Sequence, residues 1–67
     1  MSQDKTTFNI KTGQYTREIM YGGIHLQLQY SRGLDGEFEL DGVLSRDGQN
    51  ITELVRMSTL KYFEGLL

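Results

Sequence analysis

From Ile24 to Tyr30 apolar and polar residues alternate strictly, and from Tyr15 to Tyr21 they alternate more loosely. The two runs meet at Gly22-Gly23. A pair of glycines between alternating runs predicts a two-residue hairpin turn, because such turns need positive φ at both central positions. The turn then fixes the register. Tyr21 faces Ile24, Ile19 faces Leu26, Arg17 faces Leu28 and Tyr15 faces Tyr30. That face is apolar apart from Arg17. The other carries Met20, Glu18 and Thr16 against His25, Gln27 and Gln29, as a one-sided antiparallel sheet requires. After a turn at Ser31–Gly36, alternation resumes over 37–44. Phe38, Leu40 and Leu44 fall on one face, and Glu37, Glu39 and Asp41 on the other. Strands at about 15–21, 24–31 and 37–44 are predicted as a meander. Ahead of them, Phe8 and Ile10 give a weak strand signal that Gly13 ends, and the polar residues 1–6 are expected to be flexible.

Ser45-Arg46-Asp47-Gly48 is a further turn, and Asn50 follows as a favoured helix N-cap with Glu53 three residues on. Ile51, Leu54, Val55 and Ser58 share one helical face, which predicts a short helix at about 50–58. Continued to Leu67, that helix would carry Leu60, Phe63 and Leu67 on the side opposite Ile51 and Val55, apolar on both sides. As a strand the tail alternates, with Leu60, Tyr62 and Leu66 against Lys61, Phe63 and Leu67. For 59–67 a strand at about 60–66 is therefore preferred to a helix. The expected fold is α+β: an antiparallel β-meander, one short helix packed on one face, and a final strand after the helix. It forms a single domain over 1–67.

Length changes the picture next. A 67-residue chain buries only about 60% of the surface its unfolded form exposes. Chains this small usually add disulfides, a metal or a partner chain. Cysteine is absent, so disulfides and thiolate metal sites are excluded. With a single histidine no metal or other cofactor is expected. A homodimer is the remaining source of buried area, with the helix at 50–58 or the final strand expected in its interface. The net charge of −2 argues against direct nucleic-acid binding, which needs clustered Lys and Arg. No apolar run is long enough to span a membrane, and residues 1–11 lack the apolar core of a signal peptide. A soluble cytoplasmic protein is expected. Four tyrosines and three phenylalanines make a folded chain the expectation despite an apolar content of 37%.

Candidate chemistry is sparse. His25 has no nucleophile or acid at catalytic spacing, falls among glutamines on the polar face, and reads as a solvated strand residue. The Asp-Gly pairs at 35–36, 41–42 and 47–48 lack the spacing of a calcium loop, and turn chemistry accounts for two of them. Asn50-Ile51-Thr52 fits a glycosylation acceptor in form but reads as the helix cap. No catalytic residue is expected, and the chain reads as a binding module. One pattern remains. Glu37, Glu39 and Asp41 project from one face of one strand at a step of about 6.6 Å. Aligned carboxylates repel one another. A line of negative charge resembles one DNA strand and would suit a basic cleft. The plainer reading is a solvated face that keeps an edge strand soluble.

The order of hairpin, Leu34-Asp35-Gly36 turn, acidic strand, capped helix opening Ile51-Thr52-Glu53-Leu54, and final strand resembles a known family. It is similar to the small uracil-DNA glycosylase inhibitors of tailed Bacillus phages, over roughly residues 24–67. The first 23 residues have no counterpart. The resemblance implies an acidic homodimer that inhibits uracil-DNA glycosylase by DNA mimicry in the host cytoplasm. It occupies the enzyme's DNA-binding groove and sequesters an apolar wedge side chain. Carried over, Asp41 takes the phosphate-mimicking position, alongside Glu37 and Glu39, and Leu54 with Met57 takes the apolar pocket. Where that family has aromatics on this helix, the present chain has Leu54 and Ser58, and the flexible thioether of Met57 is the substitute. Leu54 reads equally as core. The other functional class open to the sequence is a small homo-oligomeric adaptor or assembly module with an unrelated protein partner.

Overall fold

The computed structural model describes residues 5–67. Four strands, β1 (Lys5–Asn9), β2 (Gln14–Tyr21), β3 (Ile24–Arg32) and β4 (Phe38–Ser45), precede a 3₁₀ turn (Thr52–Leu54) and one helix, α1 (Met57–Glu64). The strands pair antiparallel in sequence order, so the fold is an α+β meander with a helix on one face. The predicted hairpin register is the observed one, from Tyr21 opposite Ile24 to Tyr15 opposite Tyr30. Gly22 and Gly23 have φ of 57° and 81°, the left-handed values that this turn demands. The flexible segment expected over 1–6 falls on 1–4 outside the described residues, whereas Lys5 and Thr6 belong to β1. The weak Phe8 signal is thus a real strand, with Phe8 opposite Tyr15, although Ile10 lies beyond it in the turn.

Two expectations are corrected. The first concerns β4, which carries a bulge. Tyr30 pairs with Leu40 and Gln29 with Gly42, leaving Asp41 as the extra residue. One inserted residue reverses the alternation beyond it. Val43 therefore lies opposite Leu28 in the core, fully buried, and Leu44 turns to the polar face opposite Gln27. Glu37 precedes the strand, its N–H bonded to Asp35 Oδ1 at 3.0 Å.

The second concerns the C-terminal third. No helix spans 50–58 and no strand spans 60–66. After the Ser45–Gly48 turn the chain doubles back along the outer edge of β4. Ser45 N donates to Gln49 O, Leu44 bridges Asn50, and Ile51 N donates to Val43 O. Asn50 does cap, with its Oδ1 accepting from Thr52 N at 3.0 Å, but what it caps is a single 3₁₀ turn. Val55 and Arg56 are extended, and α1 starts at Met57. A single helix would indeed have been apolar on both sides. The chain removes the conflict by breaking at Val55-Arg56, which resets the helical phase. Ile51 and Val55 then pack inward from the extended stretch, while Leu60, Phe63 and Leu66 pack inward from α1 and the residues after it. Phe63 closes the core over Ile19, Leu26, Leu28 and Val43. Arg17, the one charged residue on the inner face, donates from Nη1 to Leu66 O at 2.6 Å and ties the end of the chain to β2.

Candidate functional site

The helix covers only part of the inner face. Toward the hairpin tip the sheet outgrows it. There Tyr21 and Ile24, which flank the diglycine turn, stay exposed, with Ile24 61% accessible. Across from them the 3₁₀ turn closes with Leu54 N donating to Ile51 O at 2.9 Å and Val55 N to Thr52 O. A turn this tight sends neighbouring side chains in opposite directions. Val55 goes inward and Leu54 outward, where it is 83% exposed. Between the two lies an apolar groove of about 330 Å³. Tyr21, Ile24, Leu54 and Val55 form its walls, buried Phe63 lies beneath, and Arg56 stands at the rim. Tyr21 is braced by its edge-on contact with the Phe63 ring, 5.1 Å between centroids. The volume sits at the small end of the range for ligand clefts. An aliphatic or aromatic side chain delivered by a partner is an occupant of suitable size and polarity.

Leu54 is therefore a wall of a groove and not core. Met57 is also exposed, at 70%, but it lies elsewhere. It lines a separate cavity of about 170 Å³ with Leu40, Asp41 and Lys61. The expected apolar pair is thus divided between two sites, and the second of these brings Met57 beside Asp41. The three acids are exposed, but they do not form the regular row expected. Glu37 sits in the turn, Glu39 stands in β4 opposite Ser31, and Asp41 occupies the bulge. Asp41 Oδ2 accepts a bond from Gln14 Nε2 at 3.2 Å, reaching across the polar face. Asp35 and Glu39 both approach Gly33, where an added Cβ would lie 3.1 Å and 3.2 Å from their carboxylate oxygens. Seven residues of β3 separate Ile24 from Ser31, so groove and acids are roughly 24 Å apart at opposite ends of the sheet.

On the polar face His25 Nε2 lies 3.3 Å from Glu18 Oε1, with both side chains over a third exposed. Among the described residues no three His, Asp or Glu side chains are grouped to hold a metal, and no helix is long and apolar enough to cross a membrane. The sequence reading missed Tyr21 and Ile24 as site residues. Their signal was present, because apolar residues flanking a tight turn sit at a sheet's tip, beyond what an eight-residue helix reaches. No family model, no curated protein and no solved structure matches the chain. The order of elements that carried the family resemblance also differs at its last member, which is a helix and not a strand.

Proposed function

We propose that the chain is a non-catalytic protein-binding module that seats an apolar side chain of a protein partner in the groove between the β2–β3 hairpin and the 3₁₀ turn. The observation that carries this reading is Leu54, held 83% exposed over a groove whose opposite wall is exposed Ile24. Contiguous exposed apolar surface marks interaction sites in small soluble proteins. Desolvated apolar anchors in such pockets dominate binding energy. A random peptide library selected on the immobilised protein tests it. The selected peptides should share an apolar anchor and bind at least tenfold more weakly to Leu54→Asp, a loss of about 1.4 kcal/mol. Met57→Asp, on the other cavity, should leave them unchanged. Peptides that bind Leu54→Asp as well as the parent would reject the groove.

A more specific reading names uracil-DNA glycosylase as the partner, inhibited by mimicry of DNA. What supports it is the pairing of an apolar groove with the exposed acids Glu37, Glu39 and Asp41 at the other end of the same sheet. Such acids would speed encounter with a basic DNA-binding cleft, and the groove would slow release of an apolar wedge. A uracil-excision assay titrated with the protein decides. Asp41→Asn and Glu39→Gln should lower the association rate and flatten its salt dependence, whereas Leu54→Ala should raise the dissociation rate. Undiminished excision at low salt removes this target while leaving the groove reading to the peptide selection.

A further inference from the structure

The outer edge of β1 is open, and its chemistry is self-complementary. Tyr21 and Ile24 close a two-residue hairpin and so form a hydrogen-bonded pair. Bonding direction alternates along an antiparallel strand. The odd residues of β2 therefore bond to β3, and its even residues Gln14, Thr16 and Glu18 bond to Asn9, Thr7 and Lys5 of β1. Thr6 and Phe8 are left with their N–H and C=O groups pointing away from the sheet. Free edges are normally blunted by proline, charge, a bulge or a covering segment. From Thr6 to Asn9 there is no charge and no proline, the register with β2 runs without a break, and β2 is the only ladder partner. The side chains point the same way. Rings from all four strands form a row on the inner face, with Phe8 4.6 Å from Tyr15, Tyr15 stacked on Tyr30 at 5.3 Å, and Phe38 edge-on to both. At the β4 end the row is closed by the Arg32 guanidinium, 4.8 Å over the Phe38 ring. At the β1 end it stops at Phe8, 52% exposed.

We infer that β1 is a dimerisation edge, on which a second copy of this chain lays its own β1 antiparallel across a two-fold axis at Thr7. Thr7 is the middle residue of β1, so this register overlaps the whole strand. It sets Thr6 opposite Phe8 of the second copy as a hydrogen-bonded pair, twice by symmetry, for about four intermolecular backbone bonds. Lys5 falls opposite Asn9, and Thr7 opposite its own symmetry mate. Centring on Phe8 would instead set Lys5 opposite Lys11, a like-charge pair, and is disfavoured. Phe8 of the second copy arrives on the same face as Phe8 of the first, and the aromatic row continues across the axis. The two sheets become one. The groove at Tyr21 and Ile24 stays clear, because β1 lies opposite residues 14–18 of β2 only.

Two variants of the whole chain test this alongside the parent protein. Sedimentation equilibrium of the parent at tens of micromolar should give twice 7.7 kDa. Thr6→Pro removes an outward-pointing N–H and leaves the β1–β2 bonds in place, so it should sediment at 7.7 kDa with unchanged circular dichroism. Thr7→Cys places the only thiol of the chain at a non-hydrogen-bonded pair on the axis, where Cα atoms lie about 4.5 Å apart, within disulfide reach. Mild oxidation should cross-link it at least tenfold faster than Leu34→Cys, a control on a fully exposed turn residue. A parent that sediments as a monomer, a Thr6→Pro variant that stays folded and dimeric, or a Thr7→Cys variant that cross-links no faster than the control would each overturn the inference. Should Thr6→Pro fail to fold, the cross-linking comparison decides alone.

Discussion

The two outer edges of the sheet present the same backbone chemistry and are finished in opposite ways. Along β4 the chain returns on itself. Ile51 N bonds to Val43 O, and Thr52 Oγ1 accepts from Val43 N at 2.9 Å while donating to Asn50 Oδ1 at 2.7 Å. A hydroxyl thus stands where a neighbouring strand would supply a carbonyl. Farther along the same edge come the Asp41 bulge and the carboxylate of Glu39. Both are devices that discourage a stranger strand. Along β1 there is no such provision, only Thr6 to Asn9 and an exposed phenylalanine. An edge that is closed by its own chain contributes to the fold, and an edge left open is available to another chain. In a protein whose core holds a handful of buried apolar residues, that difference separates stability from assembly.

The comparison breaks most severely at Phe63, which anchors α1 and therefore the segment leading into it. Phe63→Ala should cost about 3–5 kcal/mol, read from urea melts. A loss below about 1 kcal/mol would mean that the β4 edge holds without the helix. Thr52→Val comes next. It deprives the half-buried Val43 N–H of its acceptor and should cost about 1–3 kcal/mol. Hydrogen exchange at Val43 should then outpace that at Leu28, whereas in the parent both are slow. If exchange at Val43 is unchanged, the hydroxyl is not what closes the edge. Gly42→Ala probes the same closure more gently. Its new Cβ would lie 3.2 Å from Thr52 Oγ1, and a shift of a few tenths of an ångström relieves it, at about 1 kcal/mol. Combined with Thr52→Val, where no hydroxyl needs to hold position, it should cost measurably less than the sum, and strict additivity would place the clash elsewhere. The smallest effect is expected at the open edge and the groove. Thr6→Pro and Leu54→Asp should each change monomer stability by less than about 0.5 kcal/mol in thermal melts extrapolated to low concentration. A larger loss in either would show that the residue supports the fold as well as a partner.

Local chemistry made much of this readable in advance. Gly22-Gly23 dictates a hairpin whatever surrounds it, since two consecutive positive φ values suit almost nothing else, and the whole β2–β3 register follows from it. The end of β4 misled because period-two counting presumes an unbroken ladder. The bulge at Asp41 exchanged Val43 for Leu44 in the core, and nothing adjacent to Asp41 announces an inserted residue. The C-terminal third misled for a related reason. Asn50 carries a cap signal, and the clash between the faces of 50–58 and 59–67 was visible. That clash admits two remedies, a change to strand or a break with a new phase, and periodicity does not choose between them.

The groove illustrates the same division. That Leu54 is apolar and sits near a turn is a sequence fact, and core or pocket were equal readings of it. Its direction came from a three-residue 3₁₀ turn, which exists because Thr52 is held against Val43 across the β4 edge. Met57 went to a different cavity for the same reason. The sequence by itself determined the hairpin, the meander order and the apolar face, because each depends on residues a few positions apart. Tertiary structure alone decided which edge is closed, where the tail breaks and which exposed side chains share a groove, because those depend on hydrogen bonds and packing between segments that periodicity treats as independent.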